Sequence, residues 1–273
     1  MRRGAVLALL IATALALPSV AAAQSALTRL TDRADIFGWE AVGRIDLGDG
    51  YCSGTLIAPD LVLTAAHCVY DKASGKARDP KRMVFRAGLR DGKAIASRAV
   101  AKVVAHPDYD PRAPIGLEMI RSDAALLRLE HAIPAPIAAP FHVYDGPQPK
   151  GEVSVVSFGK GRDDALSWQK SCSILGRQDG VIAFDCNVTY GSSGAPVFVR
   201  DGGRMRILSL VSSGNPSGED HRAFGMELAP VVTMLKRKMR SLPAVGAAPK
   251  TAKVRRLTAG STDRSTGAKF IKP

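Results

Sequence analysis

A serine hydroxyl attacks a carbonyl usefully only beside a base, and an imidazole serves as that base only when one tautomer is held in place. Three segments of this chain could supply such a set. Gly191-Ser192-Ser193-Gly194-Ala195-Pro196 places Ser193 among small residues that can turn tightly and present its hydroxyl outward. Thr64-Ala65-Ala66-His67-Cys68 sets His67 where an apolar run ends in small side chains, leaving room for a substrate. Ser122-Asp123-Ala124-Ala125-Leu126-Leu127 puts the carboxylate of Asp123 at the mouth of an apolar strand. The chemistry is acyl transfer: Ser193 as nucleophile, His67 as base, Asp123 orienting the ring. The oxyanion formed on attack needs two backbone donors, and the N–H groups of Gly191 and Ser193 are the natural pair. Singly, each segment has a plainer reading: a surface loop, a structural histidine, a turn acid beside Arg121. Together and in this order they favour the chemistry, while His106, His131, His142 and His221 are assigned structural roles.

The elements that must hold these groups read as β. Between Val42 and Leu228 the apolar segments are short, as in Thr55-Leu56-Ile57, Leu61-Val62-Leu63, Val153-Ser154-Val155-Val156 and Ile207-Leu208-Ser209-Leu210-Val211. Gly48-Asp49-Gly50, Asp91-Gly92 and Asp201-Gly202-Gly203 punctuate them. Many short strands between turn signals predict an all-β sandwich or barrel. One helix is expected over 230–242: Pro230 suits a first helical position, and Val231, Val232, Leu235, Met239 and Leu242 form a stripe at helical spacing.

The ends differ from the body. Arg2 and Arg3, the apolar run Ala5 to Leu17 and Ala21-Ala22-Ala23 have the three parts of a secretory signal. The run is shorter than the roughly 20 residues of a membrane span. Residues 1–23 are therefore read as a signal peptide, with Gln24 as the mature terminus and 24–35 as an N-terminal or short pro-segment. From Lys236 onward the chain carries eleven Lys or Arg and one acid, Asp263, so most of its formal charge of +13 sits there. Residues 243–273 hold few large apolar side chains and are read as a disordered basic tail. The plain reading is a solvated extension; the sharper one is a tether to an anionic envelope surface. No aromatic platform accompanies the charge, so specific nucleic-acid binding is not expected. Four cysteines in an exported chain suggest two disulfides, with three connectivities open.

From Ile36 to Leu242 the chain resembles the trypsin/chymotrypsin-like serine peptidases. Cys52-Ser53-Gly54-Thr55-Leu56-Ile57 and Leu63-Thr64-Ala65-Ala66-His67-Cys68 resemble the family's histidine segment. His106-Pro107-Asp108-Tyr109 with Ser122-Asp123-Ala124-Ala125-Leu126-Leu127 resembles its aspartate segment, and Gly191 to Pro196 its nucleophile loop. Leu210-Val211-Ser212-Ser213-Gly214 resembles the strand that receives the substrate backbone. The resemblance implies two six-stranded antiparallel β-barrels, about 36–135 and 136–228, with the active site at their junction and a C-terminal helix. It implies a bridge between Cys52 and Cys68, and with it Cys172 to Cys186. It implies a monomeric serine endopeptidase acting on protein or peptide substrates, secreted or periplasmic, with no cofactor and no metal.

Two departures matter. Animal digestive members carry an acid immediately before the nucleophile, paired after activation with a newly freed terminal ammonium. Ser192 cannot form that ion pair, and Ile36-Phe37-Gly38-Trp39 matches the activated terminus poorly. Bacterial glutamyl-endopeptidase-like (V8-like) members resemble the chain more closely in lacking that acid, and activation is expected to need only signal removal or trimming between Gln24 and Asp35. The specificity pocket also departs. Its base falls near Asn187 and its walls near Val188, Thr189, Tyr190, Val211, Ser212, Ser213 and Gly214. No acid stands at the base, and Val211 occupies the place of the histidine that glutamyl members use. A neutral pocket for a small or medium uncharged side chain is expected. The alternatives are a catalytically silent, peptidase-like binding module, or an esterase using the same three residues.

Overall fold

The computed structural model describes residues 26–215 and 222–242. The expected signal peptide, the basic tail and residues 216–221 lie outside the described residues. The chain enters through a short strand, β1 (Leu27–Arg29), and one helical turn, α1 (Arg33–Ile36). The first half is then built from β2 (Val42–Asp46), β3 (Tyr51–Ala58), β4 (Leu61–Thr64), β5 (Val84–Ala87), β6 (Ala96–Ala105), a short helix α2 (Leu117–Ser122) and β7 (Ala125–Leu129). These strands close into an antiparallel barrel in the order β2-β3-β4-β7-β6-β5. Closure removes both sheet edges, so every strand can bury one face inward. Ile45, Leu56, Val62, Phe85 and Leu127 share one face of the wall and Leu63 and Leu126 the other, and all are 0% exposed. The apolar run after Asp123 is indeed a buried strand, β7, paired to β4 from Thr64↔Ala125 to Leu61↔Arg128.

The second half contains β8 (Glu152–Gly159), β9 (Arg162–Gln178), β10 (Val181–Phe184), β11 (Pro196–Asp201), β12 (Arg204–Leu210), β13 (Ser213–Asn215) and β14 (Arg222–Met226). The family resemblance implies a second six-stranded barrel here. The structure has an eight-stranded sheet instead, ordered β12-β11-β8-β9-β10-β14-β13, with β1 added on β9. β9 runs for 17 residues and serves several partners: β8 and β1 along its first part, β10 along its last. The sheet curls until β12 meets β14, but a side chain makes the tie: Ser209 Oγ donates to the Met226 carbonyl at 2.8 Å. No backbone ladder pairs β12 with β14 among the described residues. Val153, Val155, Ile182, Phe184 and Val197 pack inside the curl.

The halves share a wall of aromatic rings. Trp39 lies 5.1 Å from Trp168 and 5.2 Å from Phe198, and Phe141 lies 4.6 Å from Phe198. The entering segment, the connection between the halves and the second sheet thus meet in one desolvated cluster, where offset or tilted rings add to burial. The last element is α3 (Leu228–Ser241), longer at its start than expected. Pro230 falls inside the first turn rather than opening it. It is tolerated because first-turn N–H groups have no intrahelical acceptor to lose. Leu228, Val232, Leu235 and Met239 are its buried stripe, at spacings of a single helix face.

Candidate active site

Each candidate residue sits where an element ends. β4 stops at Thr64, and the chain tightens into a 3-10 turn over Ala66–Val69 that carries His67. The Cys52–Cys68 disulfide ties this turn to the start of β3 across 16 residues. A closure of that length is worth about 3 kcal/mol in the chain-entropy account. Asp123 caps the C-terminal end of α2, with φ −81° and ψ 59°, just before β7 begins. It is 0% exposed.

A buried carboxylate needs donors, and Asp123 has three. The His67 backbone N–H donates to Oδ1 at 2.8 Å, and His67 Nδ1 meets Oδ2 at 2.7 Å. Ser212 Oγ donates to Oδ2 at 2.6 Å. Because a carboxylate only accepts, Nδ1 is the donor here, and of the two neutral tautomers this is the one that leaves the lone pair on Nε2. His67 retains 34% side-chain exposure, so that lone pair belongs to a ring open to solvent on one side. Ser212, expected among the substrate-binding residues, turns its hydroxyl onto Asp123.

The loop between β10 and β11 carries the other candidates. Gly194 has φ +77°, and its N–H donates to Val211 O at 2.7 Å. A Cβ at 194 would overlap Thr64 Oγ1 and Ser53 O, so this loop packs directly on the segment leading to His67. Only glycine combines that φ with that approach. The Ser193 carbonyl accepts from Ser53 N at 2.8 Å. Gly191, at φ +95°, lies against the Tyr51 ring, and its carbonyl accepts from Ser53 Oγ at 2.8 Å. With those carbonyls occupied on the inner side, the N–H groups of Gly191 and Ser193 have no acceptor among the described residues. The Ser193 hydroxyl likewise has no hydrogen-bond partner among them. Catalytic hydrogen bonds often tighten only when substrate is present.

The expected pocket residues are dispersed around this loop. Asn187 N donates to Gln169 Oε1 at 2.7 Å, and Thr189 O accepts from Ser192 N at 2.9 Å. Val188 is buried, and a Cβ at Gly214 would overlap its Cγ2. Tyr190 is 70% exposed. Val211 uses its N–H and carbonyl on Ala195 and Gly194. Ser213 and Gly214 lie on β13, which among the described residues pairs with β14 and ends the sheet path. Among the described residues, the two close groupings of metal-type side chains are Cys52/His67/Cys68 and Cys172/Asp185/Cys186. Both spend their sulfurs on disulfides.

Ser53, Tyr51 and Arg162 were not singled out in the sequence. A serine two places into a strand, a tyrosine and a turn arginine carry no local signal. Only the space between the strands gives them a role.

The model of the trypsin-like peptidase domain matches residues 52–205. The chain belongs to the trypsin-like peptidases. Mouse complement C1r-B subcomponent is 34% identical over 101 residues, which is 36% of this chain and 14% of that protein. This peptidase-like chain therefore spans a small part of the length of the first curated relatives it matches. Serine protease SP24D of Anopheles gambiae is 28% identical over 190 residues, covering 61% of this chain and 66% of that one. The bovine inactive serine protease PAMR1 is 38% identical over 84 residues, or 29% of this chain and 11% of that protein. Among solved structures, a Glu endopeptidase in complex with MPD superposes with a TM-score of 0.65, covering 82% of this chain and 100% of that one at 17% identity. That likeness is one of fold. Two formed disulfides fit an oxidising, extracytoplasmic setting. No helix among the described residues is long and apolar enough to cross a membrane.

Proposed function

We propose that this trypsin-like peptidase is an active, exported serine endopeptidase. The observation that carries the reading is the chain of contacts Ser212–Asp123–His67 beside a loop that presents Ser193 and two unpaired N–H groups. In the first step Ser193 Oγ bonds to the scissile carbonyl carbon while its proton passes to His67 Nε2. The carbonyl π electrons move onto oxygen, which the N–H groups of Gly191 and Ser193 receive. Collapse of the intermediate breaks the C–N bond, and His67 returns the proton to the leaving amine. Water then repeats the sequence on the acyl-enzyme and frees Ser193. Asp123 stays a hydrogen-bond acceptor throughout.

The substrate backbone lies along residues 211–214, with main-chain bonds giving affinity and the adjoining pocket giving choice. That pocket is neutral and narrow. Val188 lies against Gly214, with buried Ala223 paired behind it, so small uncharged side chains suit it best. Residues 1–23 act as the export signal, delivering the mature chain from Gln24 to the periplasm or the medium. The basic tail, 243–273, is a tether for anionic envelope surfaces.

The test is labelling of the Gln24 form with a fluorophosphonate, beside Ser193→Ala. Labelling of the wild type alone supports the reading. A folded wild type that does not label, with or without trimming toward Ile36, favours the silent binding module.

A further inference from the structure

Ser192, between the two proposed oxyanion donors, is polar and yet 0% exposed. Its hydroxyl is saturated. It donates to Phe158 O at 2.9 Å and accepts from Thr189 N at 3.2 Å and Arg162 Nη2 at 3.1 Å. Arg162 opens β9 directly after the turn Lys160-Gly161, and its Nη1 and Nη2 also donate to Ser157 O at 2.9 Å and Ser157 Oγ at 3.1 Å. Arg44, Arg78, Arg128 and Arg206, also partly buried, each have a carboxylate within 2.7 Å, and Arg177 has one at 3.6 Å. Arg162 has none within ion-pair distance among the described residues. Burial, with only the Tyr51 ring opposing it, draws its pKa down to about 10. A cation held this way costs stability unless its hydrogen bonds are used elsewhere.

Among the described residues, no group of the entering segment hydrogen-bonds to Ser192. Ile36 is 3% exposed inside an intact chain, and its N–H donates to Asp32 O at 3.3 Å. Upstream, β1 is paired onto β9 from Leu27↔Gln169 to Arg29↔Ser167. The segment is folded in while uncut.

We propose that Arg162 is a positioning residue for the oxyanion donors: it clamps Ser192 and so holds the Thr189–Ser193 backbone with the Gly191 and Ser193 N–H groups outward, without any cut ahead of Ile36. The Ser193 N–H belongs to the peptide that leaves Ser192 and the Gly191 N–H to the peptide one residue ahead of it, so a displaced Ser192 can rotate the first directly and the second through Gly191. The guanidinium supplies a fixed fork reaching Ser157 and Ser192 together, which joins the loop to the β8–β9 hairpin. This inference rests on the reading of Ser193 as nucleophile.

The experiment compares wild type, Arg162→Ala, Arg162→Lys and Ser192→Ala, each beginning at Gln24, with Ser193→Ala as the blank. Peptide kcat and KM, the second-order rate of fluorophosphonate labelling and Tm are measured on each. Arg162→Ala is expected to lower kcat and the labelling rate about a hundredfold, in the range for a lost oxyanion donor. KM stays within about threefold, as it must if only transition-state stabilisation is lost. Arg162→Lys restores part of that rate, and Ser192→Ala loses rate in the same direction. If Arg162→Ala does not fold, the lysine and Ser192→Ala variants carry the comparison. Unchanged kcat in the folded variants, with only Tm lowered, overturns the proposal, as does wild-type activity that appears only after a cut before Ile36. A folded wild type that never labels overturns the Ser193 reading itself, whereas equal labelling of wild type and the Arg162 variants overturns this inference alone.

Discussion

Asp123 is the residue on which the site turns, because three donors converge on one buried carboxylate. Replacing it by Asn keeps the shape but lets the ring take the wrong tautomer; kcat should fall about 10⁴-fold with KM little changed. Ser212→Ala removes one of its hydrogen bonds and should cost about tenfold in kcat, as for a bond to a charged group. Steady-state kinetics on one peptide substrate measures both. Val188→Gly tests the pocket. Removing the side chain that lies against Gly214 should raise kcat/KM for large apolar side chains about tenfold or more relative to Ala, read by a peptide library. A profile led by Arg, Lys or Glu in the wild type would sink the neutral-pocket reading. The principal chemical residues were legible in the sequence because each sits in a local pattern: small residues around Ser193, an apolar run after Asp123, a cysteine after His67. Arg162 was not legible, because a turn arginine acquires meaning only from Ser157 and Ser192 lying beneath it. The expected strand Leu210 to Gly214 is broken at Val211 and Ser212, between β12 and β13, and which group the Ser212 hydroxyl meets is a matter of the fold.

At the scale of elements, strand positions followed from short apolar runs, whereas closure of the second sheet did not. Curl depends on partners far apart in sequence, and here a hydroxyl, Ser209, makes the tie between β12 and β14. The start of α3 was misjudged for a local reason: proline is as compatible with a later position in the first turn as with the opening one. His106, just past β6, gives the elements a pH dependence. Its Nδ1 accepts from Asp108 N at 3.2 Å, which requires the neutral ring at that atom. Burial lowers its pKa, and Lys238 on α3 and Arg121 on α2 push the same way, while Asp108 opposes them. The folded state thus binds this proton less readily than the unfolded chain. Stability from this source is present above the unfolded histidine value, near 6.5, and is lost as pH falls below it toward the folded value. Tm should drop between about pH 7 and 5, and His106→Asn, which keeps an acceptor that does not titrate, should remove part of that drop. Thermal scans of both proteins across that interval make the comparison; identical slopes would exclude His106 as the source.

For the whole molecule, charge and catalysis are separable. The basic residues after Pro243 lie outside the described residues, and the site is assembled entirely from residues before Leu242. Deleting the tail should therefore leave turnover of a small peptide unchanged while weakening binding to anionic vesicles, most visibly at low salt. A large loss of peptide turnover would show that the tail contributes to the site. The bridge from Cys52 to Cys68 has a further consequence. If Arg162 clamps the loop as proposed, no cut arms this peptidase, and another latch has to keep it idle inside the cell that makes it. The sulfur–sulfur bond can serve as that latch: before export its two thiols are reduced, and the turn carrying the base is untethered. Making the chain is then harmless until it meets a disulfide oxidant, and thiol oxidation rather than a second protease sets the moment of arming. Cells forced to retain the Gln24 form in a reducing cytosol should grow normally, whereas retention in an oxidising cytosol should slow them unless Ser193 is replaced by Ala.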